Sequence, residues 1–428
     1  MADATEVVRR APFGENPLVG ERGADTQRRI LQAALDVFAE HGYHETGVEL
    51  ITEAAGCSRP AFYQYFSSKE DLFWRLAGHL ARDMGEHAEG IGPITADAEG
   101  VGRLREWLDS FIDLCSAYDP ILAGYQAAAR ERRPDVKDTR SIGNRVGAAL
   151  VAAAGSGHPE LDRPALTNTM VAVVMRTITY WQIGLGQLGR RRFVGGLAQT
   201  IHRILHGPVD GVNVGPATKA PPKREPRWPV FPGTPEHDPA LRPRGRRTRE
   251  LLLDAGSRVL PQRGYHNTRV DDIVAEAGVS HGSFYRYFAN KDELFHVLAE
   301  QAAMAMVELV STFPEDGDPV SLRHWLEGWF RTYRENGGVI SAWQEIGYDD
   351  DPELQAFSIE VAMVVFDRLR RIVHRRGFGD NTVDAIVLLS VVERMPYSVL
   401  AMQHLRESEA IDASAFIVRR GLLGADVD

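Results

Sequence analysis

Two cysteines in 428 residues make neither a disulfide framework nor a zinc-ligand spacing. No apolar run is long enough to span a bilayer, and the N-terminus lacks the apolar core of a signal peptide. The expected location is the cytoplasm, with no membrane partner. Positive charge is also short: the net charge of −10 argues against an unspecific nucleic-acid binder. It leaves room for a specific one, because local charge makes phosphate contacts. No serine, cysteine or carboxylate constellation with a general base stands out, so no enzyme activity, cofactor or metal is expected. Gly184, Gly186 and Gly189 form a GxGxxG, but it follows an apolar helix rather than a strand, which excludes a dinucleotide fingerprint. Asp349, Asp350 and Asp351 lack the spacing of a cation loop.

What is present is a long internal repeat. Residues 268–295 read TRVDDIVAEAGVSHGSFYRYFANKDELF, and residues 46–73 read TGVELITEAAGCSRPAFYQYFSSKEDLF. Gly42 matches Gly264, and the register holds without a gap through Phe73 and Phe295. The unit is too large for a solenoid repeat; the chain is a tandem of two domains-worth of sequence. Each stretch reads as three short helices. In the second copy Thr268 is the expected N-cap, with Asp271 completing a capping box. Val270, Ile273, Val274 and Ala277 recur at helical spacing, and Gly278 ends that helix. Ser280 caps a second helix with Phe284 and Phe288 on one face, and Asn290 caps a third that starts at Lys291. A helix, a tight glycine turn and a helix with an apolar back and a hydrogen-bonding front is the helix-turn-helix pattern. Before the first copy, Ile30, Leu31, Ala34, Leu35 and Phe38 mark a bracing helix; its counterpart carries Leu252, Leu253, Val259 and Leu260. Pro261 in that counterpart predicts that the helix ends or kinks a turn early. Arginines cluster just ahead of each motif: Arg22, Arg28 and Arg29, then Arg242, Arg244, Arg246, Arg247 and Arg249. Cys57 borders the first recognition helix, and Val279 at its partner position favours a small apolar packing role.

AGCSRPAFYQYFSSKEDLF and AGVSHGSFYRYFANKDELF, each after a helix ending in Gly-Tyr, resemble the DNA-binding domain of the TetR/AcrR family of bacterial transcriptional regulators. The resemblance covers a small part of the chain. It implies an all-α protein of two units, each a three-helix head followed by a helical ligand-binding and dimerisation domain. The expected boundaries are a tail at 1–24, a first head at 25–73, a regulatory domain at 74–206, a proline-rich linker at 207–244, a second head at 245–295 and a regulatory domain at 296–424. Residues 207–244 lack periodicity and gain ~3 Å each when extended, enough to cross a domain. The regulatory halves repeat too: Trp107 and Phe111 match Trp325 and Trp329. Each half ends in two helical patterns, at 164–187 and 190–206, then at 381–404 and 409–423. In the family these form the dimer interface.

The resemblance also assigns residues. Thr46, Tyr63, Lys69, Thr268, Tyr285 and Lys291 would bind phosphates of double-stranded operator DNA, as hydroxyls and ammonium groups near helix N-termini do. Arg59, Pro60, Ala61 and Gln64 would face bases in one head; His281, Gly282, Ser283 and Arg286 would in the other. Ser58, Tyr65, Ser280 and Tyr287 complete the DNA face. The two reading faces differ, which predicts two unlike half-sites about one helical turn of DNA apart. A small, apolar effector is expected in the helical domains, where Trp107, Phe111, Tyr125 and Trp181, or Trp325, Trp329, Trp343 and Tyr397, would line pockets; aromatics at this spacing also serve as plain core. The leading expectation is a repressor released by that effector and working as an intrachain pseudo-dimer. The alternative is an activator, or a ligand-independent DNA-binding protein acting as a homodimer of tandem chains.

Overall fold

The computed structural model describes residues 21–124, 136–155, 164–209, 211–212, 242–314, 316–345, 352–374, 379–400 and 406–424. Most of the expected tail and linker, with Asp349, Asp350 and Asp351, lies outside them. Among the described residues every regular element is helical. Among these residues no helix is long and apolar enough to cross a membrane, and no group of His, Cys, Asp or Glu side chains is gathered as a metal site. The helices are α1 (Glu21–Glu45), α2 (Val48–Ala54), α3 (Arg59–Tyr65), α4 (Lys69–Glu89), α5 (Ala98–Ala117), α6 (Val136–Ala154), α7 (Pro164–Gln182) and α8 (Arg190–His206), followed by α9 (Pro243–Arg263), α10 (Val270–Ala277), α11 (His281–Phe284), α12 (Lys291–Val310), α13 (Pro319–Glu345), α14 (Pro352–His374), α15 (Asn381–Leu400) and α16 (Glu407–Phe416). The chain divides into two compact units, residues up to Ala88 with Ser110–Ile142, and Glu89–Asp109 with Gly143–Asp428.

In the first unit the apolar stripe of α1 does what its spacing predicts. Ile30, Leu31, Ala34 and Phe38 are buried, as are Ile51, Phe62, Phe66 and Phe73. Phe38, Tyr43 and Phe73 pack edge-on or tilted, with centroids 4.9–5.9 Å apart. On α5, Phe111 is fully buried and stacks on His87 at 5.7 Å. Tyr118 donates to the Asp83 carboxylate at 2.7 Å; burial and that carboxylate push the phenol up to about 12.

The second unit holds the second head and the closing helices of both halves. Here Pro261 does not shorten the bracing helix: α9 runs on to Arg263, and the Gly264 amide still closes on the Leu260 carbonyl. The proline falls in the last turn, where its fixed φ suits a helix and only one ladder bond is forfeited. Pro396 poses the same problem inside α15. There the carbonyl left without its usual donor, Val392 O, accepts from the indole of Trp329. A buried helix interrupted by proline thus recovers its bond from a side chain.

The aromatic candidates for a pocket are packed. Trp107 and Trp325 are nearly buried and Trp329 fully so. Trp325 stacks on Trp329 at 5.4 Å and donates to Leu309 O at 2.9 Å. Trp181 lies parallel to Phe193 at 4.8 Å and donates to Leu188 O at 2.8 Å. Tyr125 lies outside the described residues, as do the side chains of Trp343 and Tyr397. The GxGxxG is the turn between α7 and α8, with Gly184 and Gly186 both at positive φ.

Candidate nucleic-acid interface

Both heads are built on one buried frame. The bracing helix is broken by a glycine at positive φ, Gly42 at 72° and Gly264 at 76°, a conformation only glycine adopts without strain. The next residue, Tyr43 or Tyr265, turns inward. Its carbonyl accepts from the ammonium of Lys69 at 2.8 Å or Lys291 at 2.9 Å. The same ammonium sits over the tyrosine ring, 4.4 Å and 4.1 Å from the centroid. Burial lowers the pKa of Lys291 from the ordinary lysine value. The lysines that open α4 and α12 thereby lock the end of each bracing helix, in matching geometry.

Thr46 and Thr268 play a related part. Each hydroxyl donates to the glycine carbonyl that ends the bracing helix, at 2.6 Å and 2.7 Å, and each residue is 2% exposed. This corrects the expectation of a free hydroxyl donor for phosphate: the proton is already committed to Gly42 or Gly264. It also corrects the N-cap. α10 starts one residue later, at Val270, and Asp272 rather than Asp271 accepts from the Arg269 amide at 3.0 Å.

The recognition helices start as the sequence predicts. Ser58 and Ser280 accept from the amides of Ala61 and Ser283, each at 3.3 Å. Phe62, Phe66, Phe284 and Phe288 form the buried back, with pairs 5.5 Å and 5.7 Å apart. Tyr63 and Tyr285 stand out at 47% and 58% exposure. Arg59, Pro60, Gln64, His281, Gly282 and Arg286 are exposed, and Ala61, Ser283 and Tyr287 half-buried. Tyr65 is buried at 8% exposure, so its ring belongs to the head's core and not to the reading face assigned to it. Cys57 is half-buried, and burial raises its pKa, which opposes a reactive thiolate.

The two recognition helices differ in length for a readable reason. Proline in the first turn pre-sets helical φ, and α3 runs for seven residues. Gly282 stands at that position in the second head and costs conformational entropy; α11 spans four residues before passing into turns that still bond Phe288 N to Phe284 O at 3.0 Å.

Sequence reasoning missed one pair of contacts. Glu49 holds Arg59 at 2.7 Å, and Asp271, at the same position of the repeat, holds His281 at 3.1 Å. These exposed pairs add little stability. They aim the first residue of each recognition helix, and base contact by either residue means exchanging its carboxylate for a base edge. The signal was present: an acid at one repeat position matched by a nitrogen-bearing side chain at the first position of the next helix, in both copies. Of the basic clusters, Arg28, Arg29, Arg242, Arg244, Arg246 and Arg247 are exposed, and Arg249 lies over the Phe288 ring at 5.4 Å.

The profile of bacterial regulatory proteins of the tetR family matches the chain twice, at residues 30–76 and 252–298. Both heads are thus similar to the helix-turn-helix domain of that family. That family is one of transcription regulators, not of enzymes. Over 106 residues the chain is 32% identical to the HTH-type transcriptional activator FasR of Mycolicibacterium smegmatis, covering 24% of this chain and 47% of that protein. Over 67 residues it is 40% identical to the HTH-type transcriptional repressor AcnR of Corynebacterium glutamicum, covering 16% and 36%. Over 47 residues it is 47% identical to the HTH-type transcriptional regulator RutR of Escherichia coli, covering 11% and 22%. The chain thus spans less than half the length of each of these relatives.

Proposed function

We propose that this chain is a bacterial cytoplasmic transcription regulator that binds double-stranded operator DNA with both heads and reads two unlike half-sites. The observation that carries the reading is the pair of heads: one buried frame, two different exposed reading faces. Arginine and glutamine on α3 suit guanine and adenine edges, whereas histidine, serine and arginine follow Ser280. Exposed Tyr63 and Tyr285 and the exposed arginines ahead of each head supply phosphate contacts, and the locked Lys69 and Lys291 retain donors beyond the carbonyl they hold. The contacts of α7 and α8 with α15 and α16 support pairing of the two halves within one chain.

The reading includes repression relieved by a small apolar effector. Trp181 on Phe193 and Trp325 on Trp329 are closed stacks, so entry at either requires the stack to part. A second reading, activation, is supported by the likeness to an activator, which stands beside the likeness to repressors.

The test is to select an operator from random duplex DNA and weigh the complex by native mass spectrometry. The expected result is one chain on an asymmetric site. Equal binding of a perfectly palindromic site and the selected one would overturn the unlike half-sites, and two chains per site would overturn the intrachain pair. A reporter with the operator overlapping or upstream of the promoter then separates repression from activation.

A further inference from the structure

The closing helices of the two halves meet inside the second unit, and their charges are sorted. Arg176 on α7 binds Glu393 on α15 through two bonds, Nη2 to Oε1 at 2.5 Å and Nε to Oε2 at 3.0 Å; Tyr180 also donates to that carboxylate. Arg192 on α8 binds Asp380 at 2.6 Å and 3.1 Å. Arg203 on α8 binds Asp384 at 2.7 Å with both side chains essentially inaccessible; Thr200 donates to the same carboxylate oxygen, and the Arg203 Nε donates to Gly421 O at 2.6 Å. In these three pairs the cation belongs to the first half and the carboxylate to the second.

The repeat explains why this matters. Helices α7 and α15 begin at Pro164 and Asn381, and α8 and α16 at Arg190 and Glu407. Both pairs of starts share one offset, 217 residues, which also aligns Tyr180 with Tyr397, Leu205 with Leu422 and Gly207 with Gly424. In this register Arg176 and Glu393 are counterparts of each other. A residue that touches its own counterpart marks the pseudo-twofold crossing. Two first halves paired by the same geometry would set Arg176 against Arg176, and two second halves would set Glu393 against Glu393. The counterpart of Asp380 is Arg163, and that of Arg192 is Glu409. Like halves would therefore also set Arg192 against Arg163, and Glu409 against Asp380. Arg203 would face Thr167, the counterpart of Asp384, and keep a buried guanidinium without a carboxylate.

We propose that these charges are a pairing code by which the closing helices of the first half accept only those of the second half and reject a second copy of themselves. A buried ion pair is weak evidence of stability, because desolvation offsets attraction, but it strongly penalises the partner that leaves a charge unmatched or doubled. The tightness of the contact adds to the penalty: a Cβ on Gly196 would sit 2.6 Å from Val383, and one on Gly421 2.6 Å from Ile204. The partner this face fits is thus the other half of a tandem chain, an inference that rests on reading the two halves as a pair.

The test uses the full chain without DNA. Arg176→Glu and Glu393→Arg each set like charges at the crossing, and each is expected to lower the unfolding midpoint by roughly 5–10 °C. The double reversal, Arg176→Glu with Glu393→Arg, is expected to restore it to within roughly 2 °C. Mixing the two single variants after partial unfolding and refolding should yield a species of two chains by light scattering, because each supplies the charge that the other's halves now match. A double reversal no more stable than the singles, or a mixture with no two-chain species, would overturn the code. Failure of the regulator reading shows elsewhere, as a wild-type chain that pairs its halves but selects no operator.

Discussion

The two heads were cut from one pattern and then diverged on one side only. Gly42, Tyr43, Thr46, Phe62, Phe66, Lys69 and Phe73 have identical counterparts, and their contacts agree within a few tenths of an ångström: 2.6 and 2.7 Å for the threonine bonds, 2.8 and 2.9 Å for the lysine bonds. Outside the frame the recognition helices keep Ser58 and Tyr63 as Ser280 and Tyr285, but set Arg59, Pro60, Ala61 and Gln64 against His281, Gly282, Ser283 and Arg286. Interiors tolerate few changes because every atom has close neighbours. Solvent-facing residues have fewer close neighbours, so packing restrains them less.

The largest expected effect tests the shared frame. Phe62→Ala and Phe284→Ala each empty a fully buried site and should cost about 3–5 kcal/mol. Hydrogen exchange should show the affected head opening while the other keeps its protection; unequal costs would break the equivalence of the frames. Next comes the difference between the reading faces. Arg59→Ala and Arg286→Ala should each lose about 1–3 kcal/mol of discrimination, at separate half-sites, in binding to a panel of single-base operator variants. Loss at the same half-site would contradict one head per half-site.

A third contrast lies in the closing helices, where Asp384 stands opposite Arg203 and its repeat counterpart is Thr167. Burial pushes the Asp384 carboxyl up to about 6 from an ordinary 3.8, Arg203 and Thr200 notwithstanding. The folded chain therefore holds this proton more tightly than the unfolded one, and the stability it contributes, complete at low pH, is lost as pH rises through about 6. Relative to Asp384→Asn, the wild type should lose on the order of 1–3 kcal/mol between about pH 4 and 6, read from denaturant midpoints. The smallest effect concerns the lysine locks. Lys69→Gln and Lys291→Gln should each weaken binding evenly across operators and lower the salt slope by about 1; an unchanged slope would make those ammonium groups purely structural.

Much of this was legible in the chain. Spacing of apolar residues set α1 and its buried face, and Ser58, Ser280 and Asn290 cap where their chemistry places them. The failures have a common cause. A hydroxyl before a helix can cap it or donate to a phosphate, the second role being expected of both Thr46 and Thr268 and the first of Thr268; each hydroxyl instead donates to the carbonyl of the glycine break, at 2.6 Å and 2.7 Å. Proline removes a donor, which predicts a stop at Pro261, yet one lost bond in the last turn leaves the helix running to Arg263 and closed by Gly264 N on Leu260 O. Tyr65 was placed outside with its neighbours, although on a helix this short one residue of rotation separates the wet face from the core.

The sequence by itself determined that the chain is a tandem of two helical units with a helix-turn-helix head in each. Periodicity, caps and a repeat held in register are local properties, carried by residues close along the chain. Only the tertiary structure decided which hydroxyls and ammonium groups donate to backbone carbonyls. It alone disclosed that Trp329 repairs the break at Pro396, and that Arg176, Arg192 and Arg203 meet Glu393, Asp380 and Asp384. Those facts join residues far apart in sequence, and a desolvated charge or an orphaned carbonyl exists only once packing has removed the water around it.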